Sequence, residues 1–247
     1  MADMVLVHGM FQGGWSWDRL TPALTAAGHR THTPDLAGCG SDTTPVMECT
    51  LERWTSDVAQ IVAAQPEPVV LVGHSRGGLI VSQVAERVPD KVAAIVYLTA
   101  LMLPDGASTM DLPQIIADEG VAMDGEMLPP RFSEDGLFML PPLDPDEHLH
   151  HGYSDEDRAW STARLGKEPV LAMATPLSLS AERYGRVPKV YVETSRDRTL
   201  PLGAQRAMIA RGKPDEVTTV DADHMLIVTH VPQVAAILND VAQRYAS

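Results

Sequence analysis

Ten residues constrain this chain more than any others: Val69 to Gly78, VVLVGHSRGG. An apolar run breaks at Gly73-His74-Ser75-Arg76-Gly77 and resumes as the helical pattern Leu79, Ile80, Val84. The spacing predicts a strand, a very sharp turn with Ser75 at its apex, and a helix. Glycines on both sides of the serine suit a turn that strains the backbone and packs helix on strand, where a Cβ would clash. The hydroxyl is then left exposed above the sheet. A bare GxSxG match should arise by chance roughly 0.1 times in a chain of this glycine content, so its setting carries the weight.

The rest of the chain supplies such a setting. Met4 to Val7 reads as a buried strand, followed by a glycine-bearing loop and a helix from about Ser16 to Ala27. His29 to Leu36 reads as a second strand. Leu51, Trp54, Val58, Ile61 and Val62 recur at helical spacing behind Thr50 as N-cap. After a helix over Gly77 to Arg87, Val92 to Leu98 is another continuous apolar run. Strands alternating with helices in this way predict an α/β fold with a mostly parallel sheet covered on both faces.

Between about Leu101 and Val187 the pattern changes: prolines become dense, and Met, Leu and acidic residues mix without a long strand. This stretch, 101–187, is expected to be an inserted cap within a single domain spanning 1–247, with short helices at Asp111 to Glu119 and Ser154 to Leu165. From Lys189 the alternation resumes: strand Val190 to Thr194, helix Leu202 to Arg211, strand Val217 to Val220, helix Val231 to Tyr245.

A serine hydroxyl needs a base to take its proton and a third group to hold that base in the right tautomer. Asp197 and His224 follow the last two strands, whose ends share a sheet edge with Ser75, and the order Ser, Asp, His suits this fold. Asp223 and Asp221 are rivals for the acid, but Asp223 adjoins His224 and is expected to point elsewhere. Attack on a carbonyl builds charge on its oxygen, which backbone N–H groups must meet. The candidates are the amides of Met10 and Arg76. Catalysis then requires only the Arg76 backbone, and its side chain is expected at the surface or in a salt bridge. Gly9 should leave room beside that hole.

Composition excludes other classes. A net charge of −14 and a pI near 4.9 argue against nucleic acid or an anionic membrane as partner. No apolar run approaches the roughly 20 residues that span a bilayer. Cys39 and Cys49 offer no disulfide framework, and Met1 to Gly9 lacks the pattern of an export signal, so a cytoplasmic setting is expected. His148, His150 and His151 lie in an acidic, proline-flanked segment without a second ligand set, and are expected in a solvated loop rather than at a metal. Met102, Met110, Met123, Met127, Met139 and Met173 are expected to serve either an adaptable apolar pocket over Ser75 or ordinary core filling.

Five segments carry a resemblance over nearly the whole chain: VLVHGMFQGGWSWDRL from Val5, PDLAGCGSD from Pro34, GHSRGG, YVETSRDRTLP from Tyr191, and DADHMLIVTHVP from Asp221. The sequence resembles the α/β-hydrolase superfamily, within it the plant methylesterase and hydroxynitrile lyase group with its bacterial esterase relatives. The resemblance implies the α/β-hydrolase fold with a cap, no cofactor, and small esters of apolar or aromatic acids as substrates. Carbamates, lactones and activated amides use the same chemistry. A non-catalytic small-ligand receptor on the same scaffold is the rival from another class. The lyase branch typically has a threonine beside the oxyanion loop and a lysine after the catalytic histidine. Here those positions hold Gly9 and Met225, which favours ester hydrolysis. Gln12, Ser16 and Arg76 depart from residues frequent in the esterases and leave the substrate open.

Overall fold

Continuous apolar runs become strands buried on both faces. The computed structural model describes residues 1–127 and 129–246. Its main sheet is built from β1 (Asp3–Val7), β2 (Arg30–His32), β3 (Val69–His74), β4 (Val92–Leu98), β8 (Lys189–Thr194) and β9 (Glu216–Val220). The order is β2-β1-β3-β4-β8-β9, and every pairing is parallel. Side chains alternate: Val5, Val7, Leu71, Ile95 and Tyr191 enter one core, and Met4, Leu6, Val70, Val72 and Val192 the other. The first core is closed by α2 (Leu51–Ala63), α3 (Gly77–Arg87) and α8 (Leu202–Gly212), the second by α1 (Thr21–Ala26) and α10 (Val231–Tyr245).

Two early elements are shorter than their patterns suggest. The helix expected over Ser16 to Ala27 splits into a 3-10 turn, Gly14–Trp17, and α1, with Pro22 in the first turn of α1 where its missing N–H costs nothing. The strand expected over His29 to Leu36 pairs only through Arg30–His32. Beyond it Pro34 has no N–H to give, and Asp35 turns its carboxylate to the amides of Gly14 and Ser41. Helices α3 and α10 and strand β4 have the expected bounds.

Between β4 and β8 lie α4 (Leu112–Glu119), β5 (Arg131–Phe132), β6 (Phe138–Leu140), α5 (Pro145–His148), α6 (Asp155–Thr162), β7 (Glu168–Pro169) and α7 (Val170–Met173). The Ser108 hydroxyl caps the turn preceding α4, and Gly120 in the left-handed region ends it. Ser154 caps α6, which stops at Thr162, short of the expected Leu165. The three short strands form an antiparallel sheet, β5-β6-β7, which the sequence pattern did not suggest. Among the described residues no helix is long and apolar enough to cross a membrane. A short α9 (Leu226–Thr229) precedes α10.

Helix α3 approaches the sheet as closely as backbone allows. A Cβ on Gly77 would stand 2.4 Å from the Val7 carbonyl oxygen, and one on Gly73 would stand 2.9 Å from the Gly77 backbone. The strand-turn-helix unit therefore depends on both glycines. Gly77→Ala should lower the unfolding free energy by about 1–3 kcal/mol, the usual cost of overpacking. Urea denaturation measures it, and an unchanged midpoint would contradict this account of the turn.

Candidate active site

The turn between β3 and α3 places Ser75 in the left-handed region, φ +53°, which costs a side-chain-bearing residue of order 1–3 kcal/mol. The surrounding backbone holds it there: the Ser75 N–H donates to Leu98 O, and the Ser75 carbonyl accepts from Gly78 and Leu101. The hydroxyl faces the end of β9. Its oxygen is 3.0 Å from His224 Nε2, and His224 Nδ1 is 2.7 Å from Asp197 Oδ2. With Nδ1–H donated to the carboxylate, Nε2 is free to accept the Ser75 proton.

Asp197 is held by four further donors. Oδ2 accepts the hydroxyls of Thr99 (2.6 Å) and Thr194 (3.1 Å), and Oδ1 accepts the N–H groups of Thr199 and Leu200, each at 2.8 Å. Burial alone would raise its pKa, but the charge and hydrogen bond of His224 and the bonds from Thr99 and Leu200 outweigh it. The carboxyl is held below its ordinary value. Neither rival carboxylate is hydrogen-bonded to the His224 ring. Asp223 accepts the Met225 N–H at 2.7 Å, and Asp221 accepts the Ser195 hydroxyl at 2.7 Å and pairs with Arg196.

Two histidines that the sequence reading passed over support this geometry. His74 donates Nε2–H to the His224 carbonyl at 2.9 Å, and its ring lies 4.9 Å from the His224 ring. His8 donates Nδ1–H to Gly9 O at 2.9 Å and accepts the Leu36 N–H at Nε2. Burial first, then repulsion between a protonated ring and its neighbour, Arg76 beside His8 and His224 beside His74, pushes each pKa down to about 3, so both rings are neutral. Each stands at the end of a strand beside glycine or serine, which is the local signal of its place. Thr99, just past β4 at the same sheet edge, was missed likewise.

The loop after β1 runs beside Ser75. A Cβ on Gly9 would lie 3.0 Å from Ser75 Cβ, so the missing side chain serves this close approach as well as any substrate. The N–H groups of Met10 and Arg76 have no backbone or side-chain acceptor among the described residues. The Arg76 side chain is not at the surface. It is fully covered, lies 4.5 Å from the Trp54 ring centroid, and brings Nε within 2.8 Å of Glu168 Oε1, equally covered, in β7. Burial pushes the Glu168 carboxyl up, against the pull of Arg76 and the Phe11 N–H.

The histidine-rich segment also departs from expectation. His150 is buried rather than solvated, stacked 4.7 Å from Tyr153, with Nε2 2.9 Å from Ser161 Oγ and Nδ1 3.5 Å from Asp146. This copies the pattern around Ser75, yet Ser161 is fully covered and no substrate reaches it. No group of three or more His, Cys, Asp or Glu among the described residues is arranged to hold a metal.

Ser75 and His224 lie in the wall of a cavity of about 1140 Å³. Met110, Met123, Met127, Met139 and Met173 line it from the segment between β4 and β8, together with Met10, Phe11 and Leu101. Met102 is instead in the core, against α8. Met225 is buried, its thioether accepting from Gln12 Nε2 at 3.2 Å, so it brings no charge to the cavity. The arrangement joins a hydroxyl, an imidazole and two unclaimed N–H groups at the wall of an apolar chamber. That is the equipment of acyl transfer.

A parallel sheet with its serine on the strand-to-helix turn defines the α/β hydrolases, and the α/β-hydrolase family model matches residues 4–237. The chain belongs to that family. Among its relatives, Methylesterase 3 of Arabidopsis thaliana is 31% identical over 98% of this chain and 97% of its own length. Esterase PIR7B of Oryza sativa subsp. japonica is 34% identical over 98% of this chain and 96% of its own. The crystal structure of polyneuridine aldehyde esterase superposes with a TM-score of 0.85 at 28% identity, covering 98% of this chain and 99% of that one.

The neutral histidines have a consequence for stability. Both fold with pKa values near 3 and unfold to the ordinary 6.5, so below pH 6.5 the unfolded chain binds more protons. Their contribution is present above the unfolded value and is lost as the pH falls towards 3, at about 1.4 kcal/mol per pH unit for each ring. His74→Gln should flatten the fall in unfolding free energy between about pH 6 and pH 4 by that amount. Denaturant titrations across this range test it, and an unaltered slope would show that His74 is not buried neutral.

Proposed function

We propose that this protein is a serine esterase that cleaves small-alkyl esters of apolar acids through an acyl-enzyme. The observation that carries the reading is the hydrogen-bond chain Ser75–His224–Asp197, which opens on the apolar cavity beside two unclaimed N–H groups. Ser75 Oγ attacks the ester carbonyl while His224 Nε2 takes its proton, and Asp197 keeps the imidazolium oriented. The amides of Met10 and Arg76 receive the oxyanion. As the tetrahedral adduct collapses, Nε2–H protonates the leaving alkoxide. Water, deprotonated by the same nitrogen, then attacks the acyl-enzyme and releases the acid. These steps draw on side chains, backbone and water alone.

The esterase and methylesterase names of the relatives support this class of substrate. The cavity refines it. Its volume of about 1140 Å³ and its lining of flexible thioethers leave room for a bulky, apolar acid portion. Met225 argues against cyanide elimination. A departing anion would meet a buried thioether there instead of a cation.

Ser75→Ala should fold and lose at least about 10⁴-fold of kcat with p-nitrophenyl butyrate. Steady-state kinetics on the purified variant, with circular dichroism to verify folding, makes the test. A folded variant with substantial turnover would refute the assignment of Ser75.

A further inference from the structure

The reaction above needs only the backbone of Arg76, yet its side chain is fully buried against Glu168. Burying an ion pair is seldom a route to stability, because desolvating both charges offsets their attraction and an apolar pair often serves as well. The contacts of this pair converge on one loop. Arg76 Nη2 donates to the Gly9 carbonyl at 3.0 Å, alongside His8 Nδ1–H at 2.9 Å. Glu168 Oε2 accepts the Phe11 N–H at 3.0 Å, and the Phe11 carbonyl accepts Gly166 N–H at 2.8 Å. Phe11 itself is in the left-handed region, φ +65°.

Between those tethers lies the Gly9–Met10 peptide. A trans peptide is planar, so anchoring the Gly9 oxygen on one side aims the Met10 N–H to the opposite side. We propose that the buried Arg76–Glu168 pair is a positioning clamp for the oxyanion hole, holding the Gly9–Met10 peptide so that the Met10 N–H faces the ester oxygen. Arg76 thereby serves both donors: its own amide is one, and its side chain orients the other. Glu168 sits in β7, so the hole is complete only while that strand packs against the β1 loop. The guanidinium suits this task, since Nη2 donates both to Gly9 O at 3.0 Å and to Glu168 Oε2 at 3.4 Å while its plane lies over Trp54 and Nε stays within 2.8 Å of Glu168 Oε1.

The inference rests on the proposed esterase reading, and the test separates the two. Glu168→Gln and the double variant Arg76→Met/Glu168→Met are assayed with p-nitrophenyl butyrate, per active serine titrated with paraoxon. Both should lose about 10- to 100-fold in kcat with KM changed by less than about twofold, as loss of a transition-state interaction requires. Affinity for a trifluoromethyl ketone, whose serine adduct carries an oxyanion, should fall by the same factor. Affinity for the non-reactive ketone analogue lacking fluorine should stay constant. The double variant removes both buried charges, so its thermal midpoint should recover relative to the single variant while its kcat does not. A merely structural pair would give the reverse: kcat restored with stability. Wild-type kcat per titrated serine in a folded double variant overturns the clamp, and if that variant does not fold, wild-type kcat in Glu168→Gln overturns it equally. Should Ser75→Ala also retain activity, the esterase reading itself fails; with Ser75→Ala inactive, only the clamp does.

Discussion

The left-handed backbone at Ser75 is tolerable because the structure around it leaves no alternative. Strand β3 is paired on both sides, helix α3 presses its first glycine against the Val7 carbonyl, and the serine's amide is engaged by Leu98 at the end of β4 and its carbonyl by Gly78 and Leu101. Strain at one residue is thus opposed by a sheet and a helix that cannot shift independently. What results is a hydroxyl at the carboxyl edge of a parallel sheet, where the loops after β4, β8 and β9 also arrive.

Those loops define protonation as well as position. Thr99, Thr194 and the amides of Thr199 and Leu200 keep Asp197 a carboxylate, so His224 must present Nδ1–H to it and leave Nε2 open. Neutral His74 holds the His224 carbonyl from below, and neutral His8 holds Gly9. Each ring nitrogen that donates has a backbone acceptor or a carboxylate. The donors and acceptors around Ser75 are in place before any substrate enters, which is what preorganised acyl transfer asks of a site.

Sequence legibility followed burial. Strands β3 and β4 could be bounded from their apolar runs because both faces are covered, and α3 and α10 from helical spacing that meets a core. Edge strand β2 could not, since its length depends on where Pro34 and Asp35 end the pairing. Strands β5, β6 and β7 are two or three residues long and are defined by partners such as Phe138 and Pro169, so no local pattern marks them. At the candidate site, Ser75, Asp197 and His224 stand at strand ends, and the structure brings them into one hydrogen-bond chain. Glu168 left no such mark: it meets Arg76 from 92 positions away, and only packing reveals why an arginine occupies the turn. The same holds for His150, whose burial comes from Tyr153 and Ser161 rather than from its acidic neighbours.

The central claim is that Ser75 is the activated nucleophile, and a fluorophosphonate tests it by forming a covalent, oxyanion-like adduct with whichever serine the protein activates. Peptide mapping by mass spectrometry after brief labelling should show one adduct, on Ser75, appearing in step with loss of esterase activity. Labelling at another serine, or complete inactivation with Ser75 unmodified, would contradict the account.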